Sequence, residues 1–375
     1  MTAPRLGKFR REIARVAGQI SRLHWILRAP LQRGLHDLFR ARRLTLTQGD
    51  APLRQEIAVV LLHQPGGLSA SSFHMLDHLH AQGLALLVVS NAPLAAADRA
   101  QLRHCAWRIM ERPNLGYDFG GYRDGILHLL DEGIRPDRLF VINDSVWFPL
   151  RETSDLIDRA RASDADLYGF VLNDARRKAS QRHLQSYFLA FSGRLAQHAD
   201  FRHFWQRLFL SNAKEQVIRR CEIPLTGFFE ARGHTVGCRY DAEALQDAAG
   251  TLADAELKAV LQYLVTLGAK NAETLRALLV AEATDGIWRT RVLEAIAPGP
   301  TRTTLIRAHP ALLVGALDTP LLKKTRDARY RAQRAQLLAR GLEAGFAPQV
   351  RDELRDWDKG PARSGTHAET PKLTH

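Results

Sequence analysis

The stretch from residue 111 to residue 150 constrains the fold more than any other part of the sequence. A polar turn with three glycines, residues 114–121, is followed by a helix pattern that ends near Gly133. An all-apolar strand, residues 139–142, comes next and stops abruptly at an Asn-Asp-Ser sequence, residues 143–145. In open α/β sheets, ligands bind in the crevice beyond the carboxyl ends of the strands. The pattern therefore predicts an α/β fold with residues 143–145 at a ligand crevice.

Other apolar runs predict the rest of the sheet. Residues 56–63, 84–89 and 167–172 have the composition of buried strands, and a weaker strand is predicted around 107–110. Helix patterns lie between the first three strands, and this β-α-β-α-β order favours mainly parallel strands joined by right-handed crossovers. The mixed apolar run 182–192 is predicted to form a strand that borders the crevice.

Changes in composition divide the chain into four parts. A basic amphipathic helical segment is predicted over residues 1–50, and the sheet domain over 51–245. Residues 246–345 have Ala- and Leu-rich helical patterns without a clear strand, and a long basic helix is predicted from Lys323 to Arg340. Residues 346–375 are predicted to be a largely disordered tail.

The positive charge of the chain is concentrated at its N-terminus. Residues 1–44 contain eleven Arg or Lys and two acidic residues, whereas the chain as a whole has a net charge of +13. Apolar residues recur at steps of three and four between Ile13 and Leu27, so a helix here would be amphipathic. One interpretation is a helix that lies on an anionic membrane surface. The other is an ordinary helix that docks its apolar stripe on the protein and exposes its basic face.

Several classes of protein are not supported by the sequence. No run of eighteen apolar residues predicts a transmembrane helix, and no apolar segment of the secretory kind lies at the N-terminus. Three cysteines without metal-binding spacing are typical of reduced thiols. No helix-turn-helix, RNP or zinc-finger pattern supports nucleic-acid binding. We therefore expect a cytoplasmic protein, peripheral on the inner face of the cytoplasmic membrane, that does not bind nucleic acid.

The residue types at the predicted crevice suit a nucleotide. An Asp at a strand end can hold a divalent cation, which in turn binds a diphosphate, and glycines allow the backbone to approach a ligand closely. The alternative is that the Asn-Asp-Ser sequence and the glycine-rich stretch form ordinary turns and do not bind a ligand. The residues predicted to contact this nucleotide are His63, Asn91, Arg112, Asn114, Gly116, Asp118, Gly120, Arg123, Asn143, Asp144 and Ser145.

Five stretches of the sequence resemble the rhamnan synthesis protein F family. They are residues 112–125 with Asn-Asp-Ser at 143–145, residues 184–188, 204–205 and 222–226, and, more loosely, 309–324. The resemblance covers residues 55–240 well and 300–325 faintly. The family is associated with rhamnose-rich polysaccharides of bacterial cell surfaces and is taken to consist of glycosyltransferases. The resemblance therefore implies glycosyl transfer in the synthesis of a surface polysaccharide, such as an O-antigen or rhamnan.

The same block resembles a variant of the GT-A glycosyltransferase pattern, in which a strand ends in Asp-x-Asp. The resemblance implies a GT-A-like, mainly parallel sheet flanked by helices, and it places residues 143–145 at the Asp-x-Asp position. It implies that Asp144 is the contact to a metal ion, Mg²⁺ or Mn²⁺, or to the diphosphate. Only one carboxylate remains where two are usual, so the requirement for a divalent cation stays open.

The resemblance also implies a reaction and partners. A deoxyhexose, L-rhamnose from a dTDP donor, would pass with inversion to a glycan linked to a polyprenyl diphosphate, while residues 1–44 hold the enzyme on an anionic membrane. Inversion needs a carboxylate base, and the candidates are Asp174 and Glu222, each of which could instead be a helix cap or a surface carboxylate. Asp118 is expected to fix the glycine-rich turn. Contacts to the sugar or acceptor are predicted for His183, Gln185, Ser186 and Tyr187. The alternative is a non-catalytic subunit that binds a sugar nucleotide or acts as a scaffold.

Overall fold

The computed structural model describes residues 28–173, 182–269, 271–281, 286–297 and 308–359. Their central feature is a nine-stranded sheet in which the order is β1-β4-β3-β2-β5-β9-β7-β10, with β8 paired to β7. The strands are β1 Thr45–Gln48, β2 Glu56–Leu62, β3 Ala85–Ser90, β4 Ala106–Glu111, β5 Arg138–Asn143, β7 Leu167–Asn173, β8 His183–Leu184, β9 Phe188–Ser192 and β10 Val236–Tyr240. A second sheet pairs β6 Val146–Trp147 with β11 Leu322–Lys323.

Helices flank the sheet and build the C-terminal region. The first described helix, α1, covers residues 28–43. The others are α2 Ala70–Ala81, α3 Ala96–Cys105, α4 Tyr117–Asp131, α5 Leu156–Ala162, α6 Gly193–Ala196, α7 Ala199–Gln206, α8 Lys214–Val217, α9 Ile223–Glu230, α10 Ala242–Thr251, α11 Asp254–Thr266, α12 Ala272–Val280, α13 Gly286–Ile296, α14 Ala328–Ala339 and α15 Pro348–Asp356. Two π-helical segments, Ile218–Glu222 and Ala311–Ala316, and a 3-10 turn, Leu342–Gly345, complete the described helices. None of them is long and apolar enough to cross a bilayer.

The predicted fold class is confirmed. Strands β4, β3, β2 and β5 are parallel, as are β7 and β10, while β1 and β9 run antiparallel to their neighbours. Alternate residues of β2 enter two different cores: Ala58, Val60 and Leu62 face one, and Ile57 and Val59 face the other. Helices therefore cover both faces, as the continuous apolar runs of a buried parallel sheet require.

Helix α4 packs closely on the sheet because two of its residues are glycines. A Cβ at Gly121 would lie 2.2 Å from Leu61 Cδ1, and a Cβ at Gly125 would lie 2.9 Å from Val59 Cγ1. The helix begins after Gly116, which has a left-handed φ of 81°. This close packing fixes the start of α4 beside the carboxyl ends of β2 and β5.

The structure differs from the sequence predictions in several elements. The short strands β1, β6 and β10 were not predicted, and the single strand predicted over 182–192 is divided into β8 and β9. The long basic helix predicted from Lys323 is wrong at its start, because Leu322–Lys323 is strand β11 and the helix begins at Ala328. Residues 348–356, part of the predicted tail, form helix α15. Residues 360–375 of that tail lie outside the described residues.

Helix α1 docks through its polar side. His36 and Ala29 are buried, whereas Leu31, Leu35 and Leu38 are 65%, 45% and 73% exposed. Over residues 28–43, the leucine stripe is therefore exposed, whereas an ordinary amphipathic helix would pack this stripe on the protein. The amphipathic stretch predicted between Ile13 and Leu27 lies outside the described residues.

Candidate active site

The carboxyl ends of β2, β3 and β5 form one edge of the sheet. Leu62 pairs with Ser90 and Leu61 pairs with Asn143, so the residues that follow these strands meet at this edge. Asp144 lies at its centre, and its Oδ2 accepts hydrogen bonds from the His63 backbone N–H at 2.8 Å and from Gln64 Nε2 at 2.9 Å. His63 therefore acts on the crevice through its backbone, while its side chain is exposed.

The two neighbours of Asp144 form a small polar network. Asn143 Nδ2 donates to Asp118 Oδ2 at 3.0 Å, and Asn143 Oδ1 accepts from the Ser145 backbone N–H at 3.1 Å and from the Ser145 hydroxyl. Asp118 thus contacts the Asn-Asp-Ser turn, whereas the sequence analysis expected it to fix the glycine-rich turn. The sequence did place residues 118 and 143–145 at one crevice, and the structure brings them together.

A lysine from the C-terminal region enters this crevice. Strand β11 pairs with β6, directly after the Asn-Asp-Ser turn, and the Lys324 backbone N–H donates to the Ser145 carbonyl at 2.7 Å. Lys323 Nζ donates to Ser145 Oγ at 2.7 Å and lies 4.5 Å from the centroid of the Tyr187 ring. Lys323 was not among the predicted site residues, although the faint resemblance over 309–324 includes it.

The crevice places several charges close together. Desolvation raises the pKa of Asp118 to about 6; Lys323 opposes this shift, and the negative charge of Asp144 adds to it. Desolvation also lowers the pKa of Lys323, while Asp118 and Glu222 raise it. The carboxylates and the ammonium therefore form one electrostatically coupled site.

Glu222 lies on the side of the crevice formed by residues 183–187. Its Oε1 accepts from the Ser186 backbone N–H at 3.1 Å and from Ser186 Oγ at 2.9 Å, and the Tyr122 hydroxyl donates to the Ser186 carbonyl at 3.0 Å. Gln185 Nε2 lies 3.4 Å from the ring of the buried His183. Asp174, the other predicted base, lies outside the described residues.

Tyr187 has an unusual hydroxyl group. Its side chain is buried, and the hydroxyl has no hydrogen-bond partner among the described residues. A buried polar group without a partner costs about 1–3 kcal/mol, so a ligand hydroxyl that reached it would remove this cost.

A buried hydrogen-bond network stabilises the glycine-rich turn. Asn91 Nδ2 donates to Asn114 Oδ1 at 3.1 Å and to the Tyr117 carbonyl at 3.2 Å. A Cβ at Gly120 would lie 1.9 Å from the Leu115 carbonyl oxygen. This glycine is therefore required by the turn itself.

The structure places Arg112 and Arg123 under the turn, whereas we predicted phosphate contacts for both. Arg112 is buried and donates to Asp124 Oδ2 at 2.6 Å, to Asn91 Oδ1 at 2.5 Å and to the Leu115 carbonyl at 2.7 Å. Arg123 is buried and donates to Asp37 of helix α1 at 2.6 Å and to the Trp205 carbonyl at 2.8 Å. Both guanidinium groups are thus engaged by protein atoms.

The crevice carboxylates do not form a compact set of metal ligands. Within the described part of the chain, Asp118, Asp144 and Glu222 form no group of three ligand atoms within 4.8 Å of one another. A group that does meet this spacing is His198, Asp200 and His234, which lies near the amino ends of β7 and β10, at the opposite edge of the sheet. In addition, both protein hydrogen bonds to Asp144 use the same carboxylate oxygen.

The sequence of this chain is similar to a known protein family. The sequence profile of rhamnan synthesis protein F matches residues 86–262. The uncharacterized protein y4gN of Sinorhizobium fredii (strain NBRC 101917 / NGR234) is 36% identical over 355 residues, which cover 94% of this chain and 92% of that protein. The chain belongs to the rhamnan synthesis protein F family. The resemblance found in the sequence is thereby confirmed.

Solved structures similar to this family member include two glycosyltransferases. Galactosyltransferase LgtC, in complex with donor and acceptor sugar analogs, has a TM-score of 0.33 and 12% identity, over 80% of this chain and 100% of that chain. Mannosyltransferase PcManGT of Pyrobaculum calidifontis, in complex with GDP-Man and Mn²⁺, has a TM-score of 0.33 and 10% identity, over 90% of this chain and 95% of that chain.

Proposed function

We propose that this protein is a glycosyltransferase that binds a nucleotide-sugar at the carboxyl ends of β2, β3 and β5. The observation that carries the proposal is the convergence of the family's two central motifs, residues 112–125 and 143–145, on one crevice beside Glu222. Membership of a rhamnan synthesis family supports transfer of a deoxyhexose, L-rhamnose from a dTDP donor, during synthesis of a surface polysaccharide.

The reaction is a single displacement at the anomeric carbon of the sugar. A hydroxyl oxygen of the acceptor forms a bond to this carbon while the bond to the diphosphate breaks, and the bonding electrons leave with the diphosphate oxygen. The hydroxyl proton passes to a carboxylate, for which we propose Glu222 because Ser186 fixes its Oε1 with two hydrogen bonds. Attack from the side opposite the diphosphate inverts the anomeric configuration.

Other crevice residues bind the transferred sugar and the deoxyribose of the donor nucleotide. Since His63 and Gln64 both bond to Oδ2 of Asp144, we assign Oδ1 to a hydroxyl of the deoxyribose or of the transferred sugar. The buried Tyr187 hydroxyl has no partner among the described residues, and a sugar hydroxyl would supply one. His183, Gln185 and Ser186 line the same side and complete the proposed sugar and acceptor site.

Nucleotide binding tests the proposal directly. Calorimetric titration of the purified protein with dTDP, UDP and GDP is expected to reveal selective binding of dTDP. Asp144→Ala should weaken this binding about 10-fold or more, because it removes a charged hydrogen-bond acceptor from the nucleotide site. Asp131→Ala, which changes a half-exposed carboxylate on α4, should bind dTDP like the wild type. If folded protein binds none of the three nucleotides, the non-catalytic scaffold takes the place of this proposal.

We also propose that helix α1 holds the enzyme on the cytoplasmic face of the membrane, next to a glycan acceptor linked to a polyprenyl diphosphate. Its exposed leucines, Leu31, Leu35 and Leu38, recur at steps of four and three and form one stripe. Arg42 and Arg43 lie at the end of the same helix. An apolar stripe beside basic residues suits the interface of an anionic bilayer.

Vesicle sedimentation tests this membrane contact. Replacing Leu31, Leu35 and Leu38 with Ser should lower the fraction bound to phosphatidylglycerol vesicles at least about 10-fold, because each leucine buries apolar surface in the interface. The matched control replaces three exposed apolar residues elsewhere, Leu53, Val280 and Ile287, with Ser. Equal binding of the two triple variants would contradict the assignment of α1 as the membrane contact.

A further inference from the structure

We infer that Lys323 binds the diphosphate of the donor in place of a divalent cation, so that this enzyme transfers its sugar without Mg²⁺ or Mn²⁺. The inference rests on the proposed function, because it assumes that a nucleoside diphosphate occupies the crevice. Lys323 belongs to the C-terminal region, and its hydrogen bond to Ser145 joins residues that are 178 positions apart in the sequence.

The crevice offers few ligand atoms for a cation. A divalent cation held by protein side chains alone needs several carboxylate or carbonyl oxygens that converge on one point. Among the described residues, Asp118, Asp144 and Glu222 do not form such a group of three ligands. Asn143 and Ser145 cannot replace the missing ligands without a change, because Asn143 Oδ1 already accepts two hydrogen bonds from Ser145.

Position 145 has a hydroxyl where the Asp-x-Asp pattern has a carboxylate. In the Asp-x-Asp pattern, this position has the second carboxylate, which here would lie beside Lys323 and neutralise its charge. Ser145 instead accepts one hydrogen bond from Lys323 Nζ and brings no negative charge. The absence of a carboxylate at position 145 and the presence of Lys323 therefore belong together. The protein itself provides the positive charge that a cation would otherwise bring.

The two neighbouring lysines, Lys323 at the end of β11 and Lys324 directly after it, have different partners. Lys324 Nζ lies on one side, 3.2 Å from Glu353 and 2.6 Å from Ser71 Oγ, and is thus part of an ion pair. Lys323 lies on the crevice side against the Tyr187 ring and donates to Ser145 Oγ. Asp118 and Glu222 act on it electrostatically, but neither forms a direct ion pair with it within the described part of the chain. We therefore assign its ammonium group to the diphosphate.

The developing negative charge on the leaving diphosphate must be stabilised during transfer. An ammonium group fixed beside the diphosphate does this electrostatically, as a cation would, and needs no reorganisation when the bond breaks. Burial lowers the pKa of Lys323, and the negative charges of Asp118 and Glu222 oppose this shift. The lysine thus acts both in binding the donor and in the departure of the diphosphate.

Calorimetry with dTDP distinguishes the protein's own charge from a metal. The wild-type protein is expected to bind dTDP with the same affinity, within about twofold, in excess EDTA and in Mg²⁺ or Mn²⁺. Lys323→Met should weaken dTDP binding about 10- to 100-fold, which is the loss of one charged hydrogen-bonding contact to phosphate. Lys323→Arg keeps the charge and should retain most of the affinity. The control Lys359→Met removes an exposed lysine at the end of α15 and should change nothing.

The outcomes separate this inference from the proposed function. If dTDP binds only with Mg²⁺ or Mn²⁺, or if Lys323→Met binds it as well as the wild type, the inference is overturned while the proposed function stands. If folded protein binds no nucleoside diphosphate, both are overturned. The comparison of EDTA with Mg²⁺ uses the wild-type protein alone, so it remains decisive even if Lys323→Met does not fold.

Discussion

Glu222→Gln is expected to lower kcat about 10²- to 10⁴-fold, which is the usual contribution of a general base. The substitution preserves the size of the side chain, and the amide oxygen can still accept the hydrogen bonds that Ser186 donates to Oε1. It removes the ability to take the acceptor proton while the new glycosidic bond forms. Binding of dTDP should change little, because the proposed role of Glu222 is toward the acceptor. The measurement is steady-state transfer from dTDP-L-rhamnose to a soluble glycan acceptor, together with calorimetry of dTDP.

Asp118 is the alternative candidate for the general base. Desolvation raises the pKa of Asp118 to about 6, so it is protonated below that pH and could accept a proton only above it. A base with this pKa would make kcat/KM fall as the pH drops below about 6. If Asp118→Asn abolishes turnover and Glu222→Gln retains it, the assignment of Glu222 is wrong. Glu230→Gln, on the following helix and paired with Arg182, is the control and should leave kcat unchanged.

Part of the site follows directly from local sequence. The strands β2, β3, β5 and β7 are continuous apolar runs that end in polar residues, and such runs predict both a buried strand and the position of its end. Parallel strands bring their carboxyl ends to one edge. Asp144 and Asn143 could therefore be placed at a crevice from the sequence alone.

The partners of the charged residues could not be predicted in this way. An arginine beside a glycine-rich turn is compatible both with a phosphate ligand and with a buried ion pair. Arg112 takes the second role because Asp124 and Asn91, 12 and 21 positions away, converge on it in the folded core. Lys323 reaches the crevice through a ladder of only two residues, which leaves no periodic pattern to detect. In both cases the decisive contacts are long-range.

Asp124→Ala is expected to lower the free energy of unfolding by about 3–5 kcal/mol, because it breaks a buried network of charges by removing one partner. The Asp124 side chain is fully buried, and it accepts hydrogen bonds from Arg112 Nε at 2.6 Å and from His36 Nε2 at 2.9 Å. Without it, the guanidinium of Arg112, whose side chain is 0% exposed, would remain in the core without a counter-charge. Denaturation in urea, followed by circular dichroism, measures the loss.

A second aspartate on the same helix provides the comparison for Asp124. Asp131 pairs with Arg40 of α1 and with Arg202, but its side chain is 45% exposed, so Asp131→Ala should cost only about 0–1 kcal/mol. The effect of Asp124 should also depend on pH. Burial alone would raise the pKa of Asp124, but the hydrogen bond from His36 and the charge of Arg112 outweigh it and lower the pKa. The stabilisation is thus present above the unfolded pKa of about 4 and is lost as the pH falls through the lower folded pKa. A loss in Asp124→Ala no larger than that in Asp131→Ala would mean that the network does not hold α1 and the glycine-rich turn together.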